Sequence, residues 1–202
     1  MSKAILFAIL RLFYHYRVMG GENVPKDGGV ILAPNHVSYW DPPVAGCVTR
    51  RKVYFMAKEE LFHVPILKYW IKRVGCIPVR RGTADRRALR LAAEHLKKGG
   101  CVLVFPEGKR VSPGEVKEGE LGIALLAQMA GVPVVPIGIT GTQPLFRKIC
   151  GVLPWFSKIR VHVGKPLLFS FPNKAHERTK AFEEAVHVIM NEIQRLKTEK
   201  LT

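Results

Sequence analysis

Short, wholly apolar runs alternate along the chain with longer stretches whose apolar positions recur every three or four residues. Residues 30–33 are apolar and end at Pro34, a buried-strand candidate; residues 53–57, 76–79, 101–105 and 132–140 repeat that character and read as strands, and residues 159–163, with Arg160 and His162 among them, read as a late strand. Between them, residues 83–98 carry Ala88, Leu89, Leu91, Ala92 and Leu96 at helical spacing and stop at Gly99-Gly100. Residues 118–130 predict a helix closed by Gly131. Residues 174–196 predict a long one with Phe182, Val186, Ile189, Ile193 and Leu196 along one side. Residues 59–73 read as helical pieces interrupted at Pro65, and Asp41-Pro42-Pro43 as a helix start with Asp41 as its N-cap. Strands in alternation with helices predict an α/β fold: a largely parallel or mixed central sheet covered by helices. Residues 1–20 form an N-terminal hydrophobic helix, and residues 21–202, free of repeats and low-complexity linkers, read as one domain.

Two segments bear on membranes. Residues 121–146 contain no Asp, Glu, Lys or Arg, but Gly131, Pro133, Pro136, Gly138, Gly141 and Pro144 interrupt them, so they read as helix, turn, strand and loop. Residues 2–16 are apolar apart from Lys3, Arg11 and His15. At 1.5 Å per residue such a helix reaches roughly 22 Å, short of a ~30 Å hydrocarbon layer. It is expected either to pack on the domain or to lie in one leaflet, with no cleaved signal peptide. The charge balance, 32 Lys+Arg against 16 Asp+Glu, leaves +16 and implies an anionic partner. The four cysteines are far apart, without CxxC or paired histidines, which fits free thiols in a reducing cytoplasm better than disulfides or zinc.

In parallel sheets ligands sit beyond the carboxyl ends of strands, so polar clusters that directly follow apolar runs carry the candidate chemistry. The first is Asn35-His36-Val37-Ser38-Tyr39-Trp40-Asp41. His36 and Asp41 can act as a base and its orienter only if the segment turns between strand and helix, since five residues on a regular helix separate them by about 140°. Spacing alone equally allows a loop histidine beside an N-cap. The second is Phe105-Pro106-Glu107-Gly108-Lys109-Arg110, and the third is Pro78-Val79-Arg80-Arg81-Gly82; each offers guanidinium groups to an anion or is simply a basic surface turn. There is no Walker loop, dinucleotide fingerprint or nucleophile elbow.

Taken together these clusters resemble the conserved blocks of the glycerophospholipid acyltransferase family, above all its lysophosphatidate-acylating members. His36 through Asp41 matches the histidine–four residues–aspartate motif. Gly75 to Arg81 is similar to the second block, Phe105-Pro106-Glu107-Gly108 with Arg110 to the third, and Val132-Pro133-Val134-Val135-Pro136 to the fourth, in the right order. The resemblance implies transfer of a fatty acyl group from acyl-CoA or acyl-carrier protein to the sn-2 hydroxyl of 1-acylglycerol-3-phosphate, forming phosphatidate. It implies His36 as general base, Asp41 as its orienter, and Arg81, Glu107, Gly108 and Arg110, with Lys117, at the acceptor-phosphate site. Backbone amides near the fourth block would face the oxyanion. No metal or cofactor is implied, the thioester donor being a substrate. The enzyme would work at the inner face of the cell membrane as a peripheral or monotopic protein.

Lys109 and Val111 stand where the third block commonly has Thr and Ser, and Arg80 where an acidic residue is common. These departures keep open another lysolipid acceptor, such as a lyso-ornithine lipid. A nucleic-acid-binding module is the remote alternative raised by +16 and the clusters Arg50-Arg51-Lys52 and Arg86-Arg87. The basic residues are scattered over many elements rather than gathered in one stripe, so no nucleic-acid partner is expected.

Overall fold

The structure, a computed structural model, describes residues 3–80, 85–111, 118–143 and 158–199. A helix, α1 (Lys3–Tyr14), leads into β1 (Arg17–Met19) and then β2 (Val30–Pro34), α2 (Asp41–Gly46) and β3 (Val53–Lys58). A 3-10 turn (Glu59–His63), α3 (Pro65–Val74), β4 (Ile77–Val79), α4 (Arg86–Lys97) and β5 (Cys101–Leu103) follow. The chain continues with α5 (Gly122–Ala130), β6 (Val134–Thr140), β7 (Arg160–Val163) and α6 (Ala175–Thr198).

The described strands form one seven-stranded sheet in the order β1-β7-β6-β2-β5-β3-β4. All neighbours run parallel except β6 and β7, so the sheet is parallel at its centre and mixed at one edge. The central strands have no exposed face, which is why they read as unbroken apolar runs: Val30, Ile31, Leu32 and Ala33 are all fully buried. Their side chains alternate between two cores. One holds Val30, Leu32, Val135 and Ile137 against α1 and α2; the other holds Ile31, Ala33, Val102 and Val134 against α4, α5 and α6. Ile123, Leu126, Ile189 and Ile193 supply the helical half of the second core. Burying each such side chain contributes about 1.5–3 kcal/mol.

Local chemistry sets the helix ends. Asp85 caps α4 by accepting from the amides of Arg87 and Ala88 at 3.1 and 3.0 Å. Gly131 closes α5 at φ 64°, a left-handed conformation that glycine takes without strain. α5 begins at Gly122 rather than at residue 118, because the preceding segment is drawn to the third block: the Glu120 amide donates to Pro106 O at 2.7 Å. β1 was not legible in the sequence; three residues are too few for a period-two pattern. Among α1 side chains Leu10 is buried and Leu6, Phe7 and Tyr14 pack on the core, while Ile5, Leu12 and Phe13 are exposed. Among the described residues no helix is long and apolar enough to cross a membrane. Cys47, Cys76 and Cys101 are free thiols, and burial pushes Cys76 and Cys101 up to about 11.

Candidate active site

The register of the sheet gathers the polar clusters. β6, β2 and β5 are adjacent and parallel, so the segments after Thr140, Pro34 and Leu103 emerge side by side at the same edge. His36 lies in the turn that carries β2 into α2, and that turn is what lets residues five apart meet. Its Nδ1 lies 3.0 Å from Asp41 Oδ2. The same oxygen accepts the amides of Val37 and Ser38, each at 2.6 Å, and Asp41 Oδ1 accepts the Thr142 hydroxyl at 2.7 Å. Asp41 is thus the first residue of α2, not its N-cap; Trp40 occupies the cap position without a side-chain bond. The carboxylate turns back toward the loop because three donors there outbid the helix amides.

Asp41 is fully buried, and both of its carboxyl oxygens accept hydrogen bonds. A carboxylate facing Nδ1 assigns the ring proton to that nitrogen, which leaves the Nε2 lone pair as the basic one. Among the described residues Nε2 has no hydrogen-bond partner. Below, the ring stacks on Phe105 with centroids 3.9 Å apart and 20° between planes. The loop backbone is clamped at both ends. His36 N donates to Glu107 Oε2 at 2.8 Å, and Val111 N donates to His36 O at 2.9 Å. Asn35, also buried, bonds Ile139 through both ends of its amide, at 3.0 and 2.6 Å.

The third block therefore wraps the histidine loop. Glu107, which the resemblance puts at the phosphate site, is buried and accepts the His36 amide through Oε2. Gly108 turns the chain at φ 66°, a left-handed conformation that glycine takes without strain and any other residue adopts at a cost. Arg110 is the cation this block presents: its guanidinium lies 3.6 Å over the Tyr39 ring and donates to the Tyr39 hydroxyl at 2.7 Å. Val111 is buried, so its departure from the family pattern fills a packed position. Arg80 is tied to Glu59, Nε to Oε2 at 2.6 Å. Arg81 and Lys117 lie outside the described residues. The fourth block builds the start of β6. Pro133 and Pro136 have no N–H and Val134 N donates to Leu167 O, so the oxyanion role expected of its amides has no support there.

Asn35, Tyr39 and Phe105 stood in the candidate clusters without a role of their own, and Thr142 was not singled out in the sequence. The signal available for Thr142 was its place: a hydroxyl just past an apolar strand, as His36 is just past another.

Among the described residues no serine or cysteine side chain hydrogen-bonds His36. A parallel α/β sheet with a buried His–Asp pair at its carboxyl edge, wrapped by a Phe-Pro-Glu-Gly turn, is the arrangement that the acyltransferase family motifs predict. The model of the Acyltransferase family matches residues 15–140, and the chain belongs to that family.

The relatives bear more than one name: most are 1-acyl-sn-glycerol-3-phosphate acyltransferases, and a lyso-ornithine lipid O-acyltransferase of Pseudomonas aeruginosa is 31% identical over 112 residues, covering 55% of this chain and 43% of that protein. The chain is 32% identical over 181 residues to 1-acyl-sn-glycerol-3-phosphate acyltransferase of Streptococcus pneumoniae, covering 88% of this chain and 64% of that protein, just under two thirds of its length. It is 29% identical over 197 residues to the Bacillus subtilis enzyme of the same name, covering 94% and 93%. The crystal structure of the 1-acyl-sn-glycerophosphate acyltransferase PlsC from Thermotoga maritima superposes with a TM-score of 0.71 at 32% identity, covering 99% of this chain and 83% of that one.

Proposed function

We propose that this protein acylates 1-acylglycerol-3-phosphate at the sn-2 hydroxyl, taking the acyl group from acyl-CoA or acyl-carrier protein and forming phosphatidate for phospholipid synthesis. The observation that carries the reading is the buried His36–Asp41 pair with Nε2 left for a substrate. The names of most of the relatives point to the same acceptor. Nε2 takes the proton of the acceptor hydroxyl as its oxygen attacks the thioester carbonyl. The tetrahedral intermediate then collapses, the C–S bond breaks, and the thiolate leaves with the proton held on Nε2. A positioned base contributes roughly 10²–10⁴-fold to such a step. Because the thioester is already activated, no acyl-enzyme is needed.

Arg110, with Arg81 and Lys117 carried over from the family motifs, would grip the acceptor phosphate and fix the hydroxyl near Nε2. Both substrates are amphiphiles, and the exposed Ile5, Leu12 and Phe13 of α1 together with the +16 charge suit an anionic membrane surface. We place the enzyme there as a peripheral or monotopic protein on the inner face.

The test is mass spectrometry of products from liposomes that contain one labelled acyl donor, supplied in turn as CoA and carrier-protein thioester, and a panel of acceptors. Phosphatidate with the label at sn-2 is expected. Label in an ornithine lipid or another lysophospholipid, with none in phosphatidate, would replace the acceptor and leave acyl transfer standing.

A further inference from the structure

We infer that Thr142 is a positioning residue for acyl transfer, setting the plane of the Asp41 carboxylate and through it the aim of His36. The inference rests on the proposed role of His36 as base. Asp41 Oδ2 is crowded with donors: His36 Nδ1 and the amides of Val37 and Ser38, all from its own loop. Those three fix one oxygen but allow the group to pivot about it. Among the described residues Oδ1 has one partner, the Thr142 hydroxyl at 2.7 Å, and both Asp41 and Thr142 are fully buried. Thr142 arrives from the strand next to β2, 101 residues along the chain, on the segment that leaves β6. It is therefore the bond that ties the base's carboxylate to the rigid sheet instead of to the loop it must orient.

The approach is built by its neighbours. Gly141 turns the chain at φ 85°, where a Cβ would overlap the Lys158 carbonyl, so the turn that aims Thr142 at Asp41 requires glycine. Two residues earlier, Ile139 is bound through N–H and C=O to Asn35, the residue before His36. The end of β6 thus holds the histidine loop at its start and at its carboxylate. Threonine suits the position: its β-branched side chain is stiff at χ1, and its hydroxyl is a single donor with its methyl for packing.

The test measures thiol release by the full chain with lysophosphatidate vesicles and whichever thioester donor the wild type turns over. Thr142→Val keeps the shape and removes the donor. It should lower kcat roughly 10- to 100-fold, with the acceptor KM unchanged within twofold, and Thr142→Ser should restore most of the rate. In an Asp41→Asn background, Thr142→Val should change kcat less than twofold, since its effect runs through that carboxylate. Wild-type kcat in folded Thr142→Val, or a full multiplicative loss in the double variant, would overturn the inference. If Thr142→Val does not fold, Thr142→Ala and Thr142→Ser, matched by circular dichroism, carry the comparison: Ala must lose the rate and Ser must keep it. His36→Ala measured alongside separates the two levels. Its retention of full activity would sink the base itself, whereas a dead His36→Ala beside a fully active Thr142→Val would sink only the role of Thr142.

Discussion

Replacing Asn35 tests whether the site is held by the sheet. The backbone ladder between β2 and β6 runs to the pairing of Pro34 with Ile137, and Asn35 N donates to Ile137 O at 3.3 Å. One step further the backbone of the loop departs, and the Asn35 side chain stands in for the missing peptide group. Its Nδ2 donates to Ile139 O at 3.0 Å, and its Oδ1 accepts Ile139 N at 2.6 Å. Asn35 and Ile139 are each 1% exposed, so water does not replace these bonds. Asn35→Leu, close in shape, leaves one buried N–H and one buried C=O unpaired. Each costs about 1–3 kcal/mol, giving about 2–6 kcal/mol against a total stability of about 5–15 kcal/mol. For a chain of this size that is a fall in Tm of at least about 5 °C. Asn35→Asp keeps the acceptor for Ile139 N but sets a carboxylate against Ile139 O, so it should also destabilise. Urea unfolding followed by circular dichroism measures both. A loss under about 0.5 kcal/mol in Asn35→Leu would show that Asn35 does not clamp the strand end and would refute the reasoning.

Two further substitutions separate turn geometry from substrate grip. Gly108→Ala must take a left-handed backbone while the exposed Glu120 side chain swings aside, so it should lose about 1–2 kcal/mol of unfolding free energy; near-wild-type stability in a denaturant titration would contradict that. Tyr39→Phe keeps the ring under Arg110 and removes the 2.7 Å bond, so KM for a phosphate-bearing acceptor should rise roughly two- to tenfold with kcat within twofold, and an unchanged KM would separate Arg110 from the acceptor.

The central strands were legible because both faces of the sheet are covered, which leaves residues 30–33 and 101–103 without a polar position to blur the pattern. The long closing helix was legible from Val186, Ile189 and Ile193, which all reach one core. The candidate base and its carboxylate stood out only as two polar residues in a turn; spacing did not choose between a working pair and an N-cap. What brings the two together is tertiary. Thr142 and Glu107 come from 101 and 71 residues away, and no local pattern records that they meet the histidine loop. The N-cap reading of Asp41 fails for the same reason: the helix signal at Pro42-Pro43 is real, but the carboxylate answers to donors in the preceding turn. β1 escaped notice because its three residues derive their pairing wholly from β7.

The proposed chemistry turns on one ring nitrogen, His36 Nε2. Single-turnover thiol release from a labelled acyl thioester in the presence of lysophosphatidate, compared between wild type and His36→Ala at matched fold by circular dichroism, reads it directly. Removing a positioned base should slow the acyl step by roughly 10²–10⁴-fold while the donor still binds. Release within threefold of the wild-type rate would mean that the hydroxyl loses its proton elsewhere, and that the buried pair at the strand edge is architecture rather than chemistry.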